Sequence, residues 1–221
     1  MIRAVIFDLD GVIVSTDELH YQAWKSIANN EGLRFDREFN ERFRGVSRTD
    51  CLELLLNERG RVYSPDKKHE ICEAKNNLYL QLIKNLTPND ILPGGNAVLN
   101  LLRQNKVLMA IGSSSKNTAA ILRQIGLDNF FDTVSDGNNI TNSKPDPEVF
   151  IKAADMLGVA CSECLVVEDA DAGVEAALAA GMTALGIGSA ASNNRTHYRA
   201  ESLNDSHVQG LFMRLISLKE V

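Results

Sequence analysis

The chain has 221 residues, 44% apolar and 24% charged, with 15 Gly, 5 Pro and 4 Cys, a composition that excludes collagen-like, disordered and disulfide-scaffold proteins. Lys and Arg total 23 against 29 Asp and Glu, a formal charge of −6; that sign suits neither a nucleic-acid backbone nor an anionic membrane face. No apolar run nears the roughly 18 to 20 residues of a spanning helix, and Ala4-Val5-Ile6-Phe7 is cut by Asp8 and Asp10, which argues against a signal peptide.

The first predicted element is a strand at 4–7, continuously apolar and therefore buried on both faces, as in a parallel sheet. It ends in Asp8-Leu9-Asp10-Gly11. From 14 to 91 no strand pattern follows, only helical periodicity at 17–29, 48–58 and 66–84. A crossover needs about a dozen residues, so this stretch reads as a helical insert, residues 14–91, in a core made of 1–13 and 92–221. The sheet resumes near Pro93-Gly94-Gly95. Strands are predicted at 107–112, 133–135, 165–167 and 183–187, and helices at 95–104, 116–125, 147–157, 170–180 and 207–218. Gly126, Gly158 and Gly181 follow three of these helices, where a left-handed residue commonly ends the helix. The alternation predicts an α/β doubly wound, Rossmann-like parallel sheet with an inserted helical cap. Cys161 and Cys164 form one C-x-x-C, but no second ligand pair at zinc-site spacing accompanies it, and with Cys51 and Cys72 they read as reduced thiols of a cytoplasmic protein.

In open α/β sheets ligands bind beyond the carboxyl ends of the strands, so the residues at those ends belong together. Asp8 and Asp10, two apart on an extended strand, point the same way. Their mutual repulsion is relieved by a hard divalent cation, although a simple Asp turn would use the same residues. Glu168-Asp169 closes the strand at 165–167, as a second acid pair or as an N-cap. Gly112-Ser113-Ser114-Ser115-Lys116-Asn117 enters a helix, as an anion site or a Ser-rich cap. Lys144-Pro145 sets one Lys on a loop, for chemistry or merely solvated. All four fall on one rim, and together they describe phosphoryl transfer: an Asp nucleophile, with a cation and a Lys screening the phosphoryl oxygens.

Asp8-Leu9-Asp10-Gly11, Ser113, Lys144-Pro145 and Glu168-Asp169, in this order, resemble the motifs of the haloacid dehalogenase-like superfamily. The resemblance spans the chain. It implies that Asp8 carries the phosphoryl group, that Asp10 is general acid and base, and that Ser113 and Lys144 bind the transferring group. It further implies Mg²⁺ held by Asp8, the Asp10 backbone carbonyl and Asp169, with Glu168 nearby. Asp10 marks the phosphoryl-transfer branch rather than true dehalogenases.

The insert is similar to that of the β-phosphoglucomutase family within the superfamily. Thr16, His20, Trp24, Phe43-Arg44-Gly45-Val46-Ser47-Arg48 and Lys75-Asn76 carry this likeness, with Ser115-Lys116-Asn117 on the core. The likeness implies that Arg48, Ser115, Lys116 and Asn117 grip the non-transferring phosphate, beside Ser114. Trp24, Lys75 and the loop Arg44, Gly45, Val46, Ser47 would face the sugar, and Thr16 and His20 would position Asp10. In the plainer readings Trp24 is cap core, His20 lies on a helix surface, and Arg48 pairs with an acid. Arg44 stands where the family often has Lys, and Ala170 where many relatives have Ser or Thr. The implied enzyme is a monomer that interconverts β-glucose 1-phosphate and glucose 6-phosphate through β-glucose 1,6-bisphosphate. A sugar-phosphate phosphatase and a catalytically silent sugar-phosphate binder are the alternatives.

Overall fold

The computed structural model describes residues 2–43 and 46–217. Six parallel strands, β1 (Ala4–Phe7), β2 (Leu108–Gly112), β3 (Thr133–Ser135), β4 (Cys164–Glu168), β5 (Thr183–Gly186) and β6 (Tyr198–Arg199), lie in the order β3-β2-β1-β4-β5-β6. β1 is central, with Phe7 in register with Ile111 on one side and Val167 on the other.

The unbroken apolar runs are explained by alternation across two covered faces. Val5, Phe7, Met109, Ile111, Leu165 and Val167 face one cluster, while Ala4, Ile6, Ala110 and Val166 face another. The first cluster takes in α5 (Gly95–Gln104), α6 (Thr118–Gln124) and α9 (Ser206–Ser217); the second takes in α7 (Glu148–Leu157) and α8 (Asp171–Ala179). Each large apolar side chain so buried contributes about 1.5–3 kcal/mol. The three glycines expected to close helices all have positive φ.

Between β1 and α5 stand α1 (Asp17–Asn30), α2 (Arg37–Asn40), α3 (Arg48–Glu58) and α4 (Pro65–Ile83). Side chains cap the last three: Asp36, Ser47 and Ser64 each accept a backbone N–H of the first turn. These helices bury a core of their own around Trp24, Phe35, Phe39, Leu52 and Leu55. Tyr79 and Ile83, at the far end of α4, join the sheet's cluster instead and key the insert to the body. The chain enters and leaves the insert side by side: Val14 pairs antiparallel with Ile91, and the Leu92 N–H donates to the Ile13 carbonyl at 2.8 Å.

One predicted boundary needs correction, and two short elements went unread. α6 starts at Thr118 rather than at 116, because Ser115-Lys116-Asn117 folds as a turn in which the Asn117 N–H donates to the Ser115 hydroxyl. α2 and β6 carried no sequence signal; four and two residues are too short for a period to register. Among the described residues no helix is long and apolar enough to cross a membrane.

Candidate active site

β1 delivers Asp8 to the carboxyl edge of the sheet, where its N–H donates to the Val167 carbonyl at 2.9 Å and its side chain is buried. β4 ends beside it in Glu168, which is 1% exposed. Lys144, on the loop before α7, places its Nζ 2.5 Å from Asp8 Oδ1 and 2.5 Å from Glu168 Oε1. The second oxygen of Glu168 accepts the N–H groups of Asp169 and Ala170, each at 2.9 Å. Burial pushes the Asp8 and Glu168 carboxyls above their ordinary range, against the pull of Lys144. Burial by itself would lower Lys144, but the two carboxylates outweigh it and hold the ammonium above its usual value. This ion pairing is what makes three buried charges tolerable.

Oxygen atoms of Asp8, Glu168 and Asp169 lie within 4.8 Å of one another, a hard, all-carboxylate donor set suited to Mg²⁺. Two glycines make room for it. A Cβ on Gly11, whose φ is +81°, would fall inside the Asp169 carboxylate, and one on Gly173 would fall inside that of Glu168. The backbone is cut away where the acids converge, so the residues present fit the ion.

The phosphate-type loop follows β2. Ser113 is anchored by its N–H to the Ser135 carbonyl at 3.0 Å, and its hydroxyl accepts the Ser115 N–H at 3.1 Å. The turn after β3 braces this loop from behind: the Gly137 N–H reaches the Ser115 carbonyl, and the Asn138 amide donates to the Lys116 carbonyl at 2.9 Å. Lys116 itself is exposed at the rim.

Asp10 is turned toward the insert. Thr16 donates to it twice, N–H to Oδ1 and hydroxyl to Oδ2, both at 2.6 Å. The Thr16 hydroxyl in turn accepts from Tyr79 at 2.9 Å. Thr16 is fully buried, behind Asp10. His20 stacks on Tyr79, with ring centroids 4.1 Å apart, and its half-buried side chain faces the cavity. Lys75 Nζ sits 2.7 Å from its Nδ1, and Nε2 lies 3.9 Å from Asp10 Oδ2. Burial, then Lys75 and Arg48, hold His20 well below its ordinary value. A neutral ring that accepts from Lys75 at Nδ1 carries its proton on Nε2, facing Asp10. Lys75 is buried against the Trp24 and Tyr79 rings, and burial pushes it down to about 7.

These groups face one cavity of about 1050 Å³, walled on one side by the strand ends and the 113–117 loop and on the other by α1, α3 and α4. His20, Trp24, Val46, Ser47, Arg48 and Lys75 all reach it. Trp24 is both cap core and cavity wall: 1% exposed, packed edge-on against Phe43. Arg48, the first residue of α3, donates to the Cys72 carbonyl at 3.0 Å and to Glu73 at 3.3 Å. The acid-paired reading therefore describes its contacts here, while the residue still borders the cavity opposite the 113–117 loop. The Asn117 amide donates across the cavity to Asn76 Oδ1 at 2.9 Å. Arg44 and Gly45 lie outside the described residues. Sequence reasoning missed Tyr79, whose only cue is its place one turn after Lys75 on α4, and Gly173, whose partner is visible only in three dimensions.

Residues 2–181 match the haloacid dehalogenase-like hydrolase family. The chain is 43% identical over 188 residues to a β-phosphoglucomutase of Bacillus subtilis, covering 84% of this chain and 83% of that one. It is 30% identical over 183 residues to a phosphorylated carbohydrates phosphatase of Thermotoga maritima, covering 81% and 82%. The crystal structure of β-phosphoglucomutase from Clostridium difficile superposes with a TM-score of 0.92 at 35% identity, over 99% of each chain.

Proposed function

The chain belongs to the haloacid dehalogenase-like hydrolase family, and from that premise we propose that it is a β-phosphoglucomutase, interconverting β-glucose 1-phosphate and glucose 6-phosphate. One observation carries this reading beyond phosphoryl hydrolysis. A single cavity holds Asp8 and Lys144 on one wall and Arg48, Lys75 and the 113–117 loop around it, as a sugar carrying two phosphates requires.

Phospho-Asp8 donates its phosphoryl group to the free primary hydroxyl of β-glucose 1-phosphate, and Asp10 takes the hydroxyl proton. The resulting β-glucose 1,6-bisphosphate turns over in the cavity. Asp8 then attacks the other phosphorus, Asp10 returns the proton to the departing sugar oxygen, and glucose 6-phosphate leaves with phospho-Asp8 regenerated. Lys144 and Ser113 bind the group in transfer. Arg48, a planar fork, takes the idle phosphate with Ser115, Lys116 and Asn117, and Ser114, Val46 and Ser47 shape the neighbouring wall. Thr16 and His20 hold Asp10 until a bound sugar phosphate closes the cap. Mg²⁺, held by Asp8, Asp169 and the Asp10 carbonyl with Glu168 beside them, supplies charge neutralisation at the phosphoryl oxygens when bound. We divide the chain into a catalytic core, 1–13 and 92–221, and a cap, 14–91, and propose a cytoplasmic monomer that acts on small sugar phosphates and not on nucleic acid.

Product analysis tests this directly. With β-glucose 1-phosphate, Mg²⁺ and a trace of bisphosphate, glucose 6-phosphate should form much faster than inorganic phosphate is freed. Phosphate as the main product establishes a sugar-phosphate phosphatase instead. No turnover with Mg²⁺ leaves a binding protein.

A further inference from the structure

Among the described residues, two buried side-chain polar atoms make no hydrogen bond, Asn40 Oδ1 and Ser114 Oγ. Both residues line the cavity described above, Asn40 from the insert and Ser114 from the core. A serine hydroxyl can rotate toward a partner, and the 113–117 loop already belongs to the phosphate machinery. The Asn40 oxygen has no such account.

Its position is tightly made. Asn40 is the last residue of α2, its backbone N–H is spent on the Asp36 carbonyl at 3.1 Å, and it is 8% exposed. Phe39, its neighbour, packs into the insert's aromatic core, while Asn40 shares the cavity wall with Trp24 and Phe43. A buried acceptor lowers stability unless something donates to it, and Leu would fill the same volume at no such penalty. A phosphate dianion cannot serve, because it offers acceptors only. A sugar hydroxyl can: it is a neutral donor, and a sugar presents hydroxyls on its rim and C–H groups on its faces, matching a cavity lined by an amide and two aromatic rings.

We propose that Asn40 is a specificity-determining residue whose side-chain oxygen accepts a hydrogen bond from one ring hydroxyl of the sugar; the inference rests on the sugar-phosphate reading above and deepens it. Arg48, Lys116 and Lys144 then recognise the phosphates, and Asn40 recognises the ring between them. A site built to pair a hydroxyl discriminates strongly against the analogue lacking it, because the protein's own polar atom is left unpaired.

The test measures binding of glucose 6-phosphate and of analogues each lacking one ring hydroxyl, by calorimetry with Mg²⁺, in a full-length Asp8→Asn background that prevents turnover. With Asn40 present, one analogue should bind about tenfold or more weakly than the parent. Asn40→Leu should bind the parent weakly and lose that preference, treating parent and analogue alike within about twofold. Asn40→Asp keeps an acceptor at the same place and should keep the preference, though the added charge weakens every phosphorylated ligand. Asn40→Leu without ligand should melt at or above the parental temperature, whereas a purely structural asparagine would lower it. Should Asn40→Leu not fold, Asn40→Ala replaces it with the same expectation for the ratio. If the parental site prefers glucose 6-phosphate and the Asn40 variant keeps every preference intact, the assignment is overturned and the sugar-phosphate reading stands. If the parental site shows no preference among these ligands, both fall.

Discussion

The two walls of the cavity are built on different principles. On the core side the charged groups are locked: Asp8 and Glu168 sit at the ends of neighbouring strands, and Lys144 binds both at once. On the cap side they are held by groups that a ligand can replace. Arg48 rests on a carbonyl and a half-exposed Glu73, and Lys75 rests on an imidazole and two ring faces. A preorganised wall suits chemistry, where positions must not move. An exchangeable wall suits recognition, where a phosphate must outcompete the resting partners.

The comparison breaks first at the nucleophile. Asp8→Asn should abolish turnover and prevent phosphorylation by acetyl phosphate, read as the absence of the phosphoryl mass increment. Asp10→Asn should keep metal binding and lose roughly 10²- to 10⁴-fold in turnover, the worth of general acid–base catalysis. Near-normal rates in the second variant would remove Asp10 from its role.

Lys144→Met tests whether the core wall is locked by its ion pairs. Removing one partner of a buried pair costs about 3–5 kcal/mol, to be read by urea unfolding with chelator at neutral pH. Without Lys144 the two carboxyls, already pushed up by burial, prefer the protonated form in the folded state. The deficit should therefore shrink as pH falls and they take up protons.

Lys75 gives the cap wall a signature in pH. Its ammonium titrates near 7 when folded against an ordinary 10.5, so between those values the unfolded chain binds the extra proton. Stability should rise with pH across that window and level off above it, and Lys75→Met should flatten the slope. A slope unchanged in the variant would assign it to other groups.

Arg48→Ala should weaken use of sugar bisphosphate by about tenfold or more, a charged hydrogen bond lost, and should weaken phosphorylation by acetyl phosphate far less. Equal losses would make Arg48 structural. The smallest effect belongs to the bond between the walls: Asn76→Ala should cost about 0.5–1.5 kcal/mol of closure, seen as a modest rise in phosphate released per isomerisation.

The core wall was also the more legible in sequence. Asp8, Ser113, Lys144, Glu168 and Asp169 lie at strand ends or on adjoining loops, and strands announce themselves by unbroken apolar runs, so their shared rim follows from topology. The cap wall was read largely through resemblance, because a helix shows its faces but not which one meets a cavity. Tyr79 acts through Thr16, 63 residues away, Asn40 shares a cavity wall with Trp24, and Gly173 lies against Glu168. No period encodes such approaches. The bracing of the 113–117 loop by Gly137 and Asn138 was hidden for the same reason.

The paired connections at the root of the insert have a mechanical consequence. Val14 is bridged both to Asp10 and to Ile91, so the insert is attached at one pivot rather than at two separate points. Thr16 stands two residues beyond that pivot and grips both oxygens of Asp10, while Asp8 is clamped in the sheet. A swing of the insert about Val14 and Ile91 would pull on the Asp10 side chain through Thr16 like a crank on an axle, while Asp8 is tied to Lys144 and Val167 of the core. Two carboxylates separated by one leucine in the chain are thus held from opposite sides, Asp8 by the core's Lys144 and Asp10 by the insert's Thr16.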